Sequence, residues 1–182
     1  MSKQPPSQAS SLTVCLLKTS DTLERIIKAV SAICCWSSAL LMAVIVINVI
    51  MRYGFNNGLI LFEEIQWHLY AIGIMFGLSH AEITNSQVRV DVVAAMLKPK
   101  TVIKWEIFGA IAFVFPMIFV VIFNSWDYVA TAYQLNESSV SPLGLPYRWI
   151  IKAVIPVSFL MLALAVLARL FRNIISLYQP EA

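Results

Sequence analysis

Four apolar stretches punctuate the chain, at about residues 29–51, 63–82, 105–126 and 149–171, and the charge falls between them, beyond them or near their ends. The first is about 23 residues long, or about 34 Å as a helix at 1.5 Å per residue, enough to cross a bilayer. It is too long for the apolar core of a cleavable signal peptide, and no small-residue cleavage pattern follows. Ile65 to Ala81 contains no Asp, Glu, Lys or Arg. A soluble core helix would alternate its faces over that length, so the pattern predicts membrane crossings with charges at each mouth.

The connections carry their own signals. Gly54, Asn56, Asn57 and Gly58 predict a turn after the first crossing, and Asn85-Ser86-Gln87 breaks the second. From Val90 to Lys98, helical spacing puts Val90, Val92, Val93, Met96 and Leu97 on one arc. Asp91, Ala94, Ala95 and Lys98 fall opposite, which predicts a short amphipathic helix (about 90–98) on the membrane surface. Pro99 suits the first turn of the next helix, and Pro116, inside the third crossing, predicts a kink there. The expected fold class is all-α integral membrane. Residues 25–175 form a four-helix domain, residues 1–24 a disordered polar tail, and residues 176–182 a second tail.

Composition agrees. Of 182 residues, 59% are hydrophobic and 13% charged, with mean hydropathy +0.78; soluble domains carry about 25% charged residues. The net charge of +3 is no nucleic-acid signal, because the bases sit at the ends of apolar runs. Ten of the 13 bases (Lys3, Lys18, Arg25, Lys28, Arg89, Lys98, Lys100, Lys104, Arg169 and Arg172) fall on one side of the four crossings. Arg52, Arg148 and Lys152 fall on the other. The positive-inside rule then puts both termini in the cytoplasm. Cys15, Cys34 and Cys35 have no metal-ligand spacing and read as small apolar residues.

Candidate chemistry is sparse. His68 and His80 are twelve residues apart on one predicted helix, about 18 Å along its axis and about 120° around it, so they cannot ligate one haem iron. A haem- or quinone-binding anchor of an oxidoreductase is the alternative reading that these histidines and the four-helix plan leave. Glu63 and Glu64 resemble a carboxylate pair, and Glu64 has His68 at i,i+4. Their place at a helix N-terminus allows a dipole role, contact with a partner, or ion handling. Lys152, one turn into the fourth helix, can snorkel to the interface or meet a partner's acid. With no ion path, phosphate loop, nucleophile triad or metal cluster, the pattern predicts neither an enzyme nor a cofactor protein.

Several segments in order resemble a known family. Arg52-Tyr53-x-Phe55-Asn56 leads into Glu63-Glu64 with Trp67, then Gly73 and Gly77, then Arg89-Val90-Asp91. Later come Ser141-Pro142-Leu143-Gly144-Leu145-Pro146 and Trp149-Ile150-x-Lys152. Over about residues 25–175 this resembles the small membrane subunit of tripartite ATP-independent periplasmic (TRAP) transporters, the DctQ type. Where that family often has His-Ile before Arg-x-Asp, this chain has Gln87-Val88.

The resemblance implies a non-catalytic subunit of a bacterial inner-membrane importer. A periplasmic binding protein (DctP type) would deliver an organic anion, and a large elevator-type subunit (DctM type) would move it on a sodium gradient. The present chain would scaffold the large subunit. Arg52, Glu63, Glu64, Trp67, Arg89, Asp91, Arg148 and Lys152 are then the expected docking residues.

Overall fold

The computed structural model describes residues 11–56, 58–87, 96–139 and 145–178. Among these there are helices and connecting turns and no strand. Helix α1 runs Ser11–Gly54, α2 Ile60–Thr84, α3 Pro99–Gln134 and α4 Trp149–Tyr178. Three of them contain segments long and apolar enough to cross a membrane: Thr19–Gly54, Pro99–Gln134 and Trp149–Leu177. α2, with 25 residues, reaches about 37 Å. Gln66, His68, Ser79 and His80 dilute its hydropathy, and it is not among the three.

α4 is the axis of the bundle. It packs against α1, α2 and α3, while α1 and α2 also pack on each other and α3 rests mainly on α4. Small residues make this possible. Ala165 and Ala168 of α4 are buried, as are Ser20 and Ser31 of α1, Ser79 of α2 and Ala132 of α3. In a bilayer no water drives helices together, so close approach through small side chains supplies much of the association. The outer surface is the opposite: Trp36 and Met42 on α1 and Phe113, Phe119, Phe123 and Trp126 on α3 stand exposed. Only 6% of the most apolar stretch of α1, and of α3, is buried, against 17% for α4. That much bare apolar surface requires lipid or another apolar partner.

One expectation changes. The tail expected to be disordered through residue 24 is helical from Ser11. The Ser20 hydroxyl donates to the Ala168 carbonyl at 3.1 Å, and Asp21 and Glu24 pair with Arg172, so α4 holds this part of α1 in place. At 44 residues α1 is about 66 Å long, well beyond the roughly 30 Å of a hydrocarbon core. At Pro116, the expected site of a kink, the backbone carries a local irregularity. The third helix is continuous from residue 99 to 134, with one π-turn at Ala110–Val114 just before the proline. Proline has no N–H and its ring collides with the carbonyl four residues back, here Ala112; the wider turn relieves both conflicts.

Helix ends follow local chemistry. Asn85 takes a left-handed conformation (φ 55°) after α2, with Ser86 N–H donating to the Ala81 carbonyl at 3.1 Å and Asn85 N–H to Glu82. Asn136 (φ 46°) ends α3 in the same way, with Glu137 N–H donating to Ala132. Both are Schellman-type stops in which asparagine replaces the usual glycine. The amphipathic helix expected at 90–98 lies mostly outside the described residues.

Candidate docking surfaces

The charged side chains gather at the two ends of the bundle. At the end where α1 meets α2, Arg52 pairs with Glu63 at 3.6 Å; both side chains are more than half exposed. Glu64, on the next position of α2, turns inward instead. One carboxylate oxygen accepts the backbone N–H of Leu145 at 2.6 Å and the other accepts the Ser139 hydroxyl. Both partners belong to the α3–α4 connection, which Ser139 N–H to Leu145 O (3.2 Å) and Arg148 N–H to Glu137 O (3.0 Å) also draw together. Glu63, Glu64, Trp67 and Arg148 line a cleft of about 300 Å³ with Ile60, His68 and Ser139.

His68 does not meet the Glu64 carboxylate as the i,i+4 spacing suggested. Its Nδ1–H donates to the Glu64 backbone carbonyl at 2.6 Å, a bond within its own helix turn. Lys152 finds its acid inside the chain. It lies 2.5 Å from Glu137, which Arg148 also approaches at 3.7 Å, and its ammonium sits 4.0 Å over the Tyr128 ring. Glu137 was not anticipated; the one signal was its position as the sole acid in a connection that ends in Arg148 and Lys152.

The hydrogen bond from Lys152, with the Lys152 and Arg148 charges behind it, holds Glu137 below its ordinary value of 4.5 against an opposing push from burial. A carboxylate whose folded pKa is depressed stabilises the fold above its unfolded pKa, and that stabilisation is lost as pH falls through the folded value. The Glu137–Lys152 tie is therefore expected to hold at neutral pH and to weaken only below 4.5. A carboxyl-carbon NMR titration of Glu137 with its midpoint at or above 4.5 would contradict this.

The opposite end has a larger network that sequence reasoning missed. Arg169 of α4 reaches Glu82 of α2 at 3.0 Å and Glu106 of α3 at 3.4 Å, and Asn173 donates to Glu106 at 3.0 Å. Arg172 pairs with Asp21 at 3.0 Å and Glu24 at 2.7 Å on α1. One helix thus ties all three others through two arginines. A cavity of about 340 Å³ lies beside Arg169, with Gln87, Ile107, Ala110 and Val166 among its walls. Arg89 and Asp91 lie outside the described residues. Between the two ends, no group of three or more His, Cys, Asp or Glu among the described residues could hold a metal ion.

Comparison with known proteins shows the family. Residues 41–175 match the family model for tripartite ATP-independent periplasmic transporters, DctQ component. The chain belongs to the DctQ family. It is 28% identical over 162 residues to a protein of Haemophilus influenzae described as a TRAP transporter small permease, covering 85% of this chain and 92% of that one. No solved structure matches. The DctQ family is one of transporter permease subunits, and membership gives the haem- or quinone-anchor alternative no support.

Proposed function

We propose that this DctQ protein is the scaffold subunit of a sodium-driven TRAP importer in a bacterial inner membrane. It would cross the membrane four times with both termini in the cytoplasm, α2 completing the set that α1, α3 and α4 begin. The large membrane subunit would cover part of the bare apolar surface and carry the sodium and organic-anion sites. A periplasmic binding protein would deliver the anion to the face carrying Arg52, Glu63, Trp67 and Arg148.

The observation that carries this reading is the division of the surface. Ion pairs sit at both ends, while the long helices between them turn large apolar side chains outward. A scaffold needs an apolar flank for a membrane partner and polar ends for soluble or juxtamembrane contacts. A carrier needs polar groups at mid-membrane to receive its solute. Arg89 and Asp91 are the proposed contacts on the cytoplasmic face. Glu64 and Lys152 support the docking surface from within, because both find partners inside the chain.

Reconstitution tests the proposal. Liposomes containing this subunit alone are expected to take up no anion. Adding the large subunit and the binding protein, with sodium outside, is expected to give uptake, which falls to background when this subunit is left out. Uptake by the subunit alone, or full uptake without it, would overturn the proposal.

A further inference from the structure

We infer that Glu64 is a positioning residue: it clamps the neck of the α3–α4 connection onto α2 and so presets the outer docking surface, and no partner reads its charge. The inference rests on the reading of that face as the one the binding protein meets. Adjacent carboxylates at the start of a helix look equivalent, yet they are used differently. Glu63 stands exposed with Arg52 as an exposed partner. Glu64 is half-buried and spends both oxygens on Ser139 and Leu145, the two residues that flank positions 140–144. Those two residues also bond each other through Ser139 N–H and Leu145 O. A single side chain on α2 therefore closes the base of a connection that belongs to α3 and α4.

A second observation shows that the end of this connection at residues 145–148 is held. Tyr147 has φ 65°, a left-handed backbone that bulky residues adopt only when their surroundings impose it. The residue is 55% exposed, so side-chain packing alone does not impose it. The backbone bonds on either side do: Arg148 N–H to Glu137 O, Ile150 N–H to Tyr147 O, and the Leu145 N–H to Glu64 bond that fixes the approach. Releasing Glu64 would free the segment leading into Tyr147 and Arg148. Arg148 shares its cleft with Glu63 and Trp67, so the shape of the surface would be lost while each of those side chains remained present.

Glutamine separates geometry from charge. The amide oxygen of Glu64→Gln can accept from Leu145 N–H, and its NH₂ can donate to the Ser139 hydroxyl, whereas Glu64→Ala can do neither. The test uses the complete complex in proteoliposomes, with uptake measured against binding-protein concentration, and amide exchange of Leu145 and Arg148 in the same variants. Glu64→Ala is expected to speed exchange at both amides and to raise the half-saturating binding-protein concentration about tenfold, leaving the maximal rate unchanged. Glu64→Gln is expected to match the wild type in both readouts.

If Glu64→Gln behaves like Glu64→Ala in uptake, the partner reads the charge and the inference falls. It falls equally if Glu64→Ala leaves exchange unchanged, or speeds exchange without moving half-saturation. The exchange measurement needs no transport. The clamp is therefore judged even if uptake proves independent of this subunit, a result that would remove the scaffold reading instead.

Discussion

Arg169→Ala is expected to lower the thermal midpoint of the purified protein in detergent by about 5–10 °C, a loss of about 2–3 kcal/mol for a chain of this length. The reason is what the guanidinium does for two helices at once. Its fork takes Glu82 of α2 with one nitrogen and Glu106 of α3 with the other, and its side chain is only 22% exposed. The carboxylates it serves are 12% and 25% exposed, so water replaces it only in part. Removing one member of a shielded ion pair leaves its counter-charge poorly solvated, which costs far more than an exposed pair is worth. The exposed Arg52–Glu63 pair supplies the comparison, and Arg52→Ala is expected to shift the midpoint by less than about 2 °C. Arg169→Lys should recover only part of the loss, since one ammonium cannot present a planar fork to two acids. A midpoint for Arg169→Ala no lower than that of Arg52→Ala would show that α2 and α3 do not depend on this tie.

The Arg169 network has no local signature, because a membrane sequence exposes its apolar runs and little else. Apolar runs mark where a chain is greasy, and they located α1, α3 and α4 well. They do not mark where helices end. Backbone hydrogen bonds can continue past an apolar run, and α1 begins at Ser11 while α3 spans Pro99–Gln134, well beyond the expected 105–126. The true stops are residues that accept a left-handed backbone. Asn85 was legible because polar neighbours surround it. Asn136 sits in Asn136-Glu137-Ser138, a stretch that also matches a glycosylation acceptor, and its φ of 46° and the Glu137 N–H to Ala132 bond show it to be a cap.

The site divides along the same line. Glu63, Glu64, Trp67 and Arg148 could be singled out because charged and aromatic residues at helix mouths are visible locally, and the fold brings them to one cleft. Their partners were not visible. Leu145 and Ser139 lie 81 and 75 residues from Glu64, and Glu82 lies 87 residues from Arg169, with no local pattern linking them. From its position alone, Lys152 is expected to snorkel to the interface or to meet a partner's acid. The turn folds back and supplies Glu137 instead.

Gly73→Leu is expected to destabilise the bundle by about 1–3 kcal/mol, while Gly77→Leu, one helical turn away on α2, is expected to cost less than 1 kcal/mol by roughly the same measure. Both glycines belong to the pattern that first suggested the family, but their surroundings differ. A Cβ at Gly73 would lie 3.0 Å from the Ser37 hydroxyl and 3.4 Å from that of Ser38 on α1, whereas a Cβ at Gly77 meets nothing within 4 Å. Ser37 cannot easily yield, because it is buried and its hydroxyl donates to the Cys34 carbonyl at 2.6 Å. A leucine at 73 must therefore push α1 away from α2 along a seam where Ser31 and Ser79 are also buried. Helices in lipid gain little from hydrophobic burial against each other, so a seam built on close approach has no reserve when it is opened. Alanine grades the test. Gly73→Ala needs a shift of only a few tenths of an ångström from Ser37, and Gly77→Ala should be neutral or slightly stabilising through helix propensity. Thermal midpoints of the four variants in one detergent decide the matter: equal losses for Gly73→Leu and Gly77→Leu would mean that α1 and α2 do not depend on contact at this point.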